Sequence, residues 1–346
     1  MVDAICRELV LRKNEQEGDI QTIYFGGGTP SLLNSEELTK IFDTIYKHYT
    51  VSQKAEITLE ANPDDLSYDK VKELAESPVN RLSIGIQSFF EEDLKLMNRA
   101  HSALEATNCI VEVNKHFDNY SIDLIYGIPD MSVERWLENL NRALDLEVPH
   151  LSCYALTIEP KTALKAFIDK GIVPPVDDAL AHHHHTVLLE RTEQYGYENY
   201  EFSNFGKPGY FSRNNMAYWH GKSYLGIGPS SHSYDGNFRS WNVANNSKYI
   251  NEIMAGGLPL DREELTVKDK YNEYVMTRLR TAGGISVSEV EKLFGPKYKE
   301  YLLQQAELPI SNHLLFRDED TIAVAKKGKF LSDGIAADLF LVNLDT

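Results

Sequence analysis

The chain is predicted to be an α/β protein: strands and helices in alternation, then a small, mostly helical domain of winged-helix type. Three observations carry this prediction. Short β-branched and aromatic runs recur between helical stretches from Ile20 to Ser203, which implies a parallel sheet with right-handed crossovers, either open or closing into a barrel. Ile20–Phe25 runs straight into Gly26-Gly27-Gly28-Thr29-Pro30-Ser31 and then a helical pattern, the strand–turn–helix unit at which α/β proteins place ligands. After Gly256-Gly257 the period turns helical, with two short strands near the end.

The bulk properties bound the function. The 346 residues allow one large domain or two, with ample core. The net charge of −17 is spread along the chain and repels phosphates, so a nucleic-acid partner is disfavoured. No apolar run is long enough for a membrane span, and the first residues lack an apolar signal core. A cytoplasmic location is therefore predicted. Cys6, Cys109 and Cys153 are far apart in sequence, which suits a reducing compartment and reads as inert core cysteines.

Taken in order, residues 2–16 read as an amphipathic helix with Ile5, Leu9 and Leu11 on its apolar side. The first strand, Ile20–Phe25, ends in three glycines. Without Cβ atoms the backbone turns sharply there, and a ligand can lie against bare amides. Asn34 with Glu37 has capping-box spacing ahead of a helix over 35–48. Further strands are predicted near Glu56–Glu60, Arg81–Gln87, Ser121–Tyr126, His150–Ala155 and Glu198–Ser203. The clearest helix lies between the fourth and fifth, where Val133, Trp136, Leu137, Leu140 and Leu144 share a face.

The strand ends carry residues that are costly to bury unless they are paired or face a cavity. Glu60 closes the second strand and Gln87 the third, with Arg99 after the next short helix, and Asp123 lies in the fourth. The four are predicted to line one pocket at the top of the sheet.

From Gly196 aromatic residues and glycines thicken, and Ser223–Ser233 looks like a shaped ligand loop. The aromatics Tyr200, Phe202, Phe205, Tyr218, Trp219 and Tyr224 either line a pocket for a flat ligand or form the core that closes the barrel; both readings stand. Helices then follow over Val267–Leu279, Ser288–Phe294 and Lys297–Gln305. Strands near His313–Phe316 and Thr321–Ala325 and a last helix from Asp333 complete a winged-helix-like pattern. No basic recognition helix stands out, so a packing or lid domain is predicted. The run His182–His185 reads as a solvated helix face, and His101 and His232 are better placed for a ligand.

Six motifs in order complete the picture: GGGTPS at 26–31, LEANP at 59–63, RLSIGIQSF at 81–89, DLIYGIP at 123–129, YALTIEP at 154–160 and YLGIGPSSHSY at 224–234. With them the chain resembles the radical S-adenosylmethionine proteins of the oxygen-independent coproporphyrinogen III oxidase family, and within it the heme-chaperone branch, HemW. The resemblance implies an incomplete (β/α)6 TIM-like barrel without its first strand over 1–195, an aromatic and glycine-rich extension over 196–260, and a helical domain over 261–346. It implies S-adenosylmethionine and a [4Fe–4S] cluster as cofactors. In such oxidases the cluster reduces S-adenosylmethionine to a radical that attacks a substrate propionate, whereas the chaperone branch holds heme and hands it on. By motif, Gly27, Gly28 and Thr29 would take the methionine part of the cofactor. Glu60, Gln87, Arg99 and Asp123 would hold its amino, carboxylate and ribose groups, with Thr157 lining the same pocket. Heme or a porphyrinogen, and heme-accepting proteins, are the implied partners.

Two departures accompany the resemblance. The family's C-x3-C-x2-C cluster motif is absent, so the chain is expected to be a fragment of a longer protein or a form without the cluster. Where chaperone-like members carry His-Asn before Tyr-Trp, this chain has Asn214-Asn215 before Tyr218-Trp219. His220 and His232 are the nearby substitutes as heme ligands. The competing functions are thus a heme carrier, an oxygen-independent coproporphyrinogen III oxidase that decarboxylates propionates, and an inactive fragment.

Overall fold

A computed structural model describes residues 1–160 and 162–342. The residues from 343 on, at the end of the predicted helical domain, lie outside the described residues. The chain forms two compact units. One comprises Thr22–Asn34 and Glu56–Phe211; the other comprises Met1–Gln21, Ser35–Ala55 and the chain from Ser212.

The first unit is organised by a seven-stranded open sheet. Its strands are β1 (Ile20–Phe25), β2 (Val51–Ala61), β3 (Arg81–Gln87), β4 (Tyr120–Tyr126), β5 (His150–Ala155), β6 (Glu198–Glu201) and β7 (Asn204–Gly206), in the order β1-β2-β3-β4-β5-β7-β6. Strands β2 to β5 pair in parallel, as the alternation predicts. The far edge departs from the prediction. The expected strand over 198–203 divides in two, and the returning piece β7 lies antiparallel between β5 and β6, so the sheet is mixed. A three-residue strand is too short to show a period, which is why it was not legible.

The parallel strands are buried on both faces. Leu59, Leu82, Ile84, Ile86, Ile122, Leu124 and Leu151 are fully enclosed, as expected where helices cover a parallel sheet. Among the covering helices, Val133–Asp145 turns Trp136, Leu140 and Leu144 inward from an N-cap at Ser132, and Asp178–Gln194 packs beside it. The histidine run on that second helix corrects the sequence reading. His184 and His185 are buried, and only His182 and His183 face solvent. His184 Nδ1 accepts the Gly127 amide (3.2 Å), and the Trp136 indole donates to the His184 carbonyl (2.9 Å). His185 stacks on Phe202 at 5.8 Å. Once buried, an imidazole packs like a small aromatic ring, so a polar run need not mean a wet face.

In the second unit the opening helix, Val2–Leu11, is shorter than the predicted 2–16. It packs on the helices Ser35–His48 and Asn246–Met254, with Ala4, Tyr249 and Ile253 buried between them. Glu8 is fully buried there. It pairs with Arg12 (3.2 Å) and accepts from the Gly228 amide (2.8 Å), the Asn242 amide (2.7 Å) and the Tyr249 hydroxyl (2.5 Å). This charge is affordable only because every lone pair is used. It pins the loop 224–234, whose tightness shows at Gly226: a Cβ there would stand 2.0 Å from the His232 carbonyl oxygen.

The end of the chain forms the winged-helix-like pattern. Helices Val267–Leu279, Val287–Phe294 and Pro296–Ser311 pack around Tyr271, Val275, Val290 and Leu302. Strands Leu315–Asp318 and Thr321–Val324 make a hairpin that Ile285-Ser286 joins. The third helix runs to Ser311 through Pro309, beyond the predicted end at Gln305. No helix among the described residues is long and apolar enough to cross a membrane.

Candidate functional site

The carboxyl ends of β1 to β4 gather a compact polar set, all within the first unit. Gly27 (φ +77°) and Gly28 (φ +71°) take the left-handed conformation, and the space where their Cβ atoms would stand is open. Such a turn presents amides that a ligand can reach. Thr29 follows, half-buried, ahead of the short turn Pro30–Leu32.

Glu60, at the end of β2, is bound to this turn. Its carboxylate accepts the Gly27 amide (3.2 Å) and the Tyr24 hydroxyl (2.7 Å). Burial first, then the Glu60 charge, pushes the Tyr24 phenol above its usual range, so it stays a donor. At the end of β3 the pairing with β4 slips between Ile84 and Gln87, and Gln87 takes a left-handed φ of 68°. This bulge re-aims Gln87, a use to which bulges next to sites are put. Gln87 and Arg99 meet over Gly85. A Cβ on Gly85 would stand 2.9 Å from Gln87 Nε2, 3.1 Å from Arg99 Nη2 and 3.8 Å from Asn62 Oδ1.

Asp123 completes the set from the middle of β4. It is half-buried, and loss of solvent together with the nearby Glu60 carboxylate pushes it up to about 7, against the pull of Ser152, Arg99 and Arg81. Arg99 in turn is lowered by burial and held charged by Asp123 and Asp64. Glu60, Gln87, Arg99 and Asp123 are thus neighbours, with Gly27, Gly28 and Thr29 at one side. Thr157 stands apart from this contact set: it is exposed beyond β5, and no hydrogen bond among the described residues ties it to the others.

Three participants were missed from sequence. Tyr24 sits two residues before Gly26, on the same face of β1, and Asn62 two residues after Glu60; the period of two is the signal that would have found them. Ser152 lies opposite Asp123 in the register of β4 and β5, which only the pairing reveals.

The two candidate heme ligands lie in the second unit. Both are exposed. His220 caps the helix Arg213–Trp219, and its Nδ1–H donates to the Met216 carbonyl at 2.8 Å. A carbonyl only accepts, so Nε2 of His220 carries the free lone pair that a metal needs. Beside it Tyr218 is half exposed and packs on Tyr224 at 5.2 Å, and Arg280 lies 5.1 Å over the Trp219 ring. His232 instead lies near Trp241, with ring centres 6.2 Å apart. The aromatic stretch therefore divides: Tyr200 and Phe205 are core, while Tyr218 and Tyr224 are open to solvent in part.

A [4Fe–4S] cluster does not fit the residues present. Cys6, Cys109 and Cys153 are buried on three separate elements, and burial pushes the thiols of Cys109 and Cys153 up. No group of His, Cys, Asp and Glu among the described residues is placed to hold a metal ion. In kind the polar set is compatible with S-adenosylmethionine: the Gly28 amide and Arg99 suit a carboxylate, Glu60, which already holds the Gly27 amide, suits an ammonium, and Asp123 suits ribose hydroxyls.

Comparison with known proteins bears on this site. Residues 2–143 match the Radical SAM superfamily, and residues 265–331 match the HemN C-terminal domain. The heme chaperone HemW of Bacillus subtilis is 32% identical over 92% of this chain and 84% of its own length. The heme chaperone HemW of Escherichia coli is 35% identical over 77% of this chain and 70% of its own. Among solved structures, coproporphyrinogen III oxidase (HemN) from Escherichia coli, a radical SAM enzyme, superposes with a TM-score of 0.85 at 23% identity, covering 99% of this chain and 82% of that one. That likeness confirms the fold class, a radical SAM half-barrel with a C-terminal domain.

Proposed function

The chain belongs to the HemN/HemW family of radical SAM proteins, and from that premise we propose that it is a heme chaperone that also binds S-adenosylmethionine. It is a HemW-like radical SAM protein of heme metabolism. The observation that supports the finer reading is identity of 30% or more, over most of the chain, with several proteins named heme chaperones.

In this proposal Gly27, Gly28 and Thr29 receive the methionine end of S-adenosylmethionine, and Arg99 with Gln87 receives its carboxylate. Glu60 takes the ammonium, Asp123 the ribose hydroxyls, and Thr157 the outer rim. The bound cofactor supplies an activated carbon–sulfur bond; these residues contain no thiolate set for a cluster that would reduce it. Heme is cargo, held through Nε2 of His220, with His232 the second candidate. The barrel over 1–195, the extension over 196–260 and the helical domain from 261 are part of the same proposal.

Heme titration of the protein, followed at the Soret band, tests the reading. Stoichiometric binding is expected, lost in His220→Ala and kept in His232→Ala. An anaerobic assay of coproporphyrinogen III oxidation runs beside it. Oxidation without stable heme binding would replace the carrier with the oxidase.

A further inference from the structure

Glu60 is held by two neutral donors, and one of them ends a row of hydroxyls that runs across the sheet. Glu60 of β2, Ser83 of β3 and Ser121 of β4 are register partners in turn. Opposed residues point to the same face, so the three side chains stand side by side. Ser121 Oγ donates to Ser83 Oγ at 3.1 Å. Ser83 donates in turn to the Tyr24 oxygen. Tyr24 of β1 then donates to Glu60 Oε1 at 2.7 Å. Each hydroxyl has one proton, and all three are given in the same direction, so the row ends on the carboxylate. Hydrogen bonds aligned in this way strengthen one another. The Gly27 amide holds the other oxygen, Oε2, at 3.2 Å.

A carboxylate oxygen has two lone-pair sites. With Tyr24 on Oε1 and Gly27 on Oε2, one site is left on each oxygen. Neither donor carries a charge, and among the described residues no lysine or arginine forms an ion pair with Glu60. Resting on the proposed S-adenosylmethionine site, we propose that Tyr24 is a positioning residue for that ligand: its hydroxyl, backed by Ser83 and Ser121, fixes the Glu60 carboxylate so that the remaining lone pairs receive the ligand's primary ammonium group.

The first glycine of the turn makes room for this arrangement. Gly26 is not left-handed, so its backbone does not call for glycine. Its surroundings do. A Cβ there would stand 2.7 Å from Tyr24 Cε1 and 3.0 Å from Glu60 Oε1, so a side chain at this position would push the phenol and the carboxylate away from where they meet. Tyr24 lies on the edge strand and is 38% exposed, so its ring does not depend on the hydroxyl for its place in a core.

Calorimetric titration of S-adenosylmethionine across a double-mutant cycle tests this. Tyr24→Phe keeps the ring and removes only the hydroxyl. The ligand must then order Glu60 itself, and affinity should fall roughly 2- to 12-fold, the cost of fixing one side chain on binding. In Glu60→Gln no carboxylate remains to be aimed, so adding Tyr24→Phe should change affinity by less than about twofold. A merely structural role would weaken binding equally in both backgrounds. Gly26→Ala displaces the same ring and carboxylate by another route and should also weaken binding. Equal losses in the two backgrounds, or wild-type or tighter affinity in Tyr24→Phe or Gly26→Ala, overturn this inference and leave the site standing; absence of binding by the wild-type protein overturns the site, and the inference with it.

Discussion

Gly85→Ala is the sharpest test of the proposed cofactor pocket, because one added methyl group reaches two ligand-facing side chains and little else. Gly85 lies within β3 and is not left-handed, so alanine fits its backbone. The new Cβ would sit 2.9 Å from Gln87 Nε2, closer than Cβ contacts come, and 3.1 Å from Arg99 Nη2, which must give by a few tenths of an ångström. Both are the far ends of flexible side chains, so they move and the strand does not. Stability should change little. Replacing glycine stiffens the unfolded chain, worth about 0.4–1 kcal/mol in favour of the fold, and this offsets the displacement. Affinity should suffer more. A hydrogen bond to a charged group is worth about 1.5–3 kcal/mol, so moving Arg99 off the ligand carboxylate should weaken S-adenosylmethionine binding roughly 10- to 150-fold. Titration calorimetry reads the affinity and thermal denaturation the stability. Wild-type affinity in the variant would refute the placement of Gln87 and Arg99 at the ligand. A steep fall in melting temperature would refute the claim that the strand is undisturbed.

Other perturbations separate binding from folding. Gly27→Val puts a β-branched residue at φ +77°, a strain of about 1–3 kcal/mol, with its side chain in the open space before the amides; calorimetry should find no S-adenosylmethionine binding. Glu8→Ala leaves the Gly228 amide and the Tyr249 hydroxyl without their buried acceptor, while Arg12 keeps Glu15 and Asn242 keeps the Gly228 carbonyl, and denaturant titration should show a loss of about 1–3 kcal/mol for each orphaned donor. His184 is held down to about 4 by burial, below its unfolded value near 6.5. The unfolded chain therefore binds the extra proton as pH falls from about 6.5 to 4, and stability should drop by up to about 3 kcal/mol across that window. In His184→Leu the same urea titrations should show a flatter dependence on pH.

Much of this molecule was legible because its local signals agree. The β-branched runs at 81–87 and 121–126 fall inside β3 and β4 within a residue of their ends, and polar residues at such strand ends have few tolerable places except a shared pocket. What was not legible depends on pairing. The return of Asn204–Gly206 between β5 and β6 carries no period, yet it brings Asn204 to Ser152 and so to Asp123. The burial of His184 and His185 depends on Trp136 and Phe202, both far away in sequence. Glu8, one charge among many on an opening helix, is enclosed only because Asn242 and Tyr249 come to it.

A crystal structure of the protein grown with S-adenosylmethionine addresses the site head-on. The sulfonium ligand is expected at the ends of β1 to β4, its carboxylate against the Gly28 amide and Arg99 and its ribose on Asp123. Density for the ligand elsewhere, or these side chains unchanged and bare beside a bound ligand, would contradict that placement.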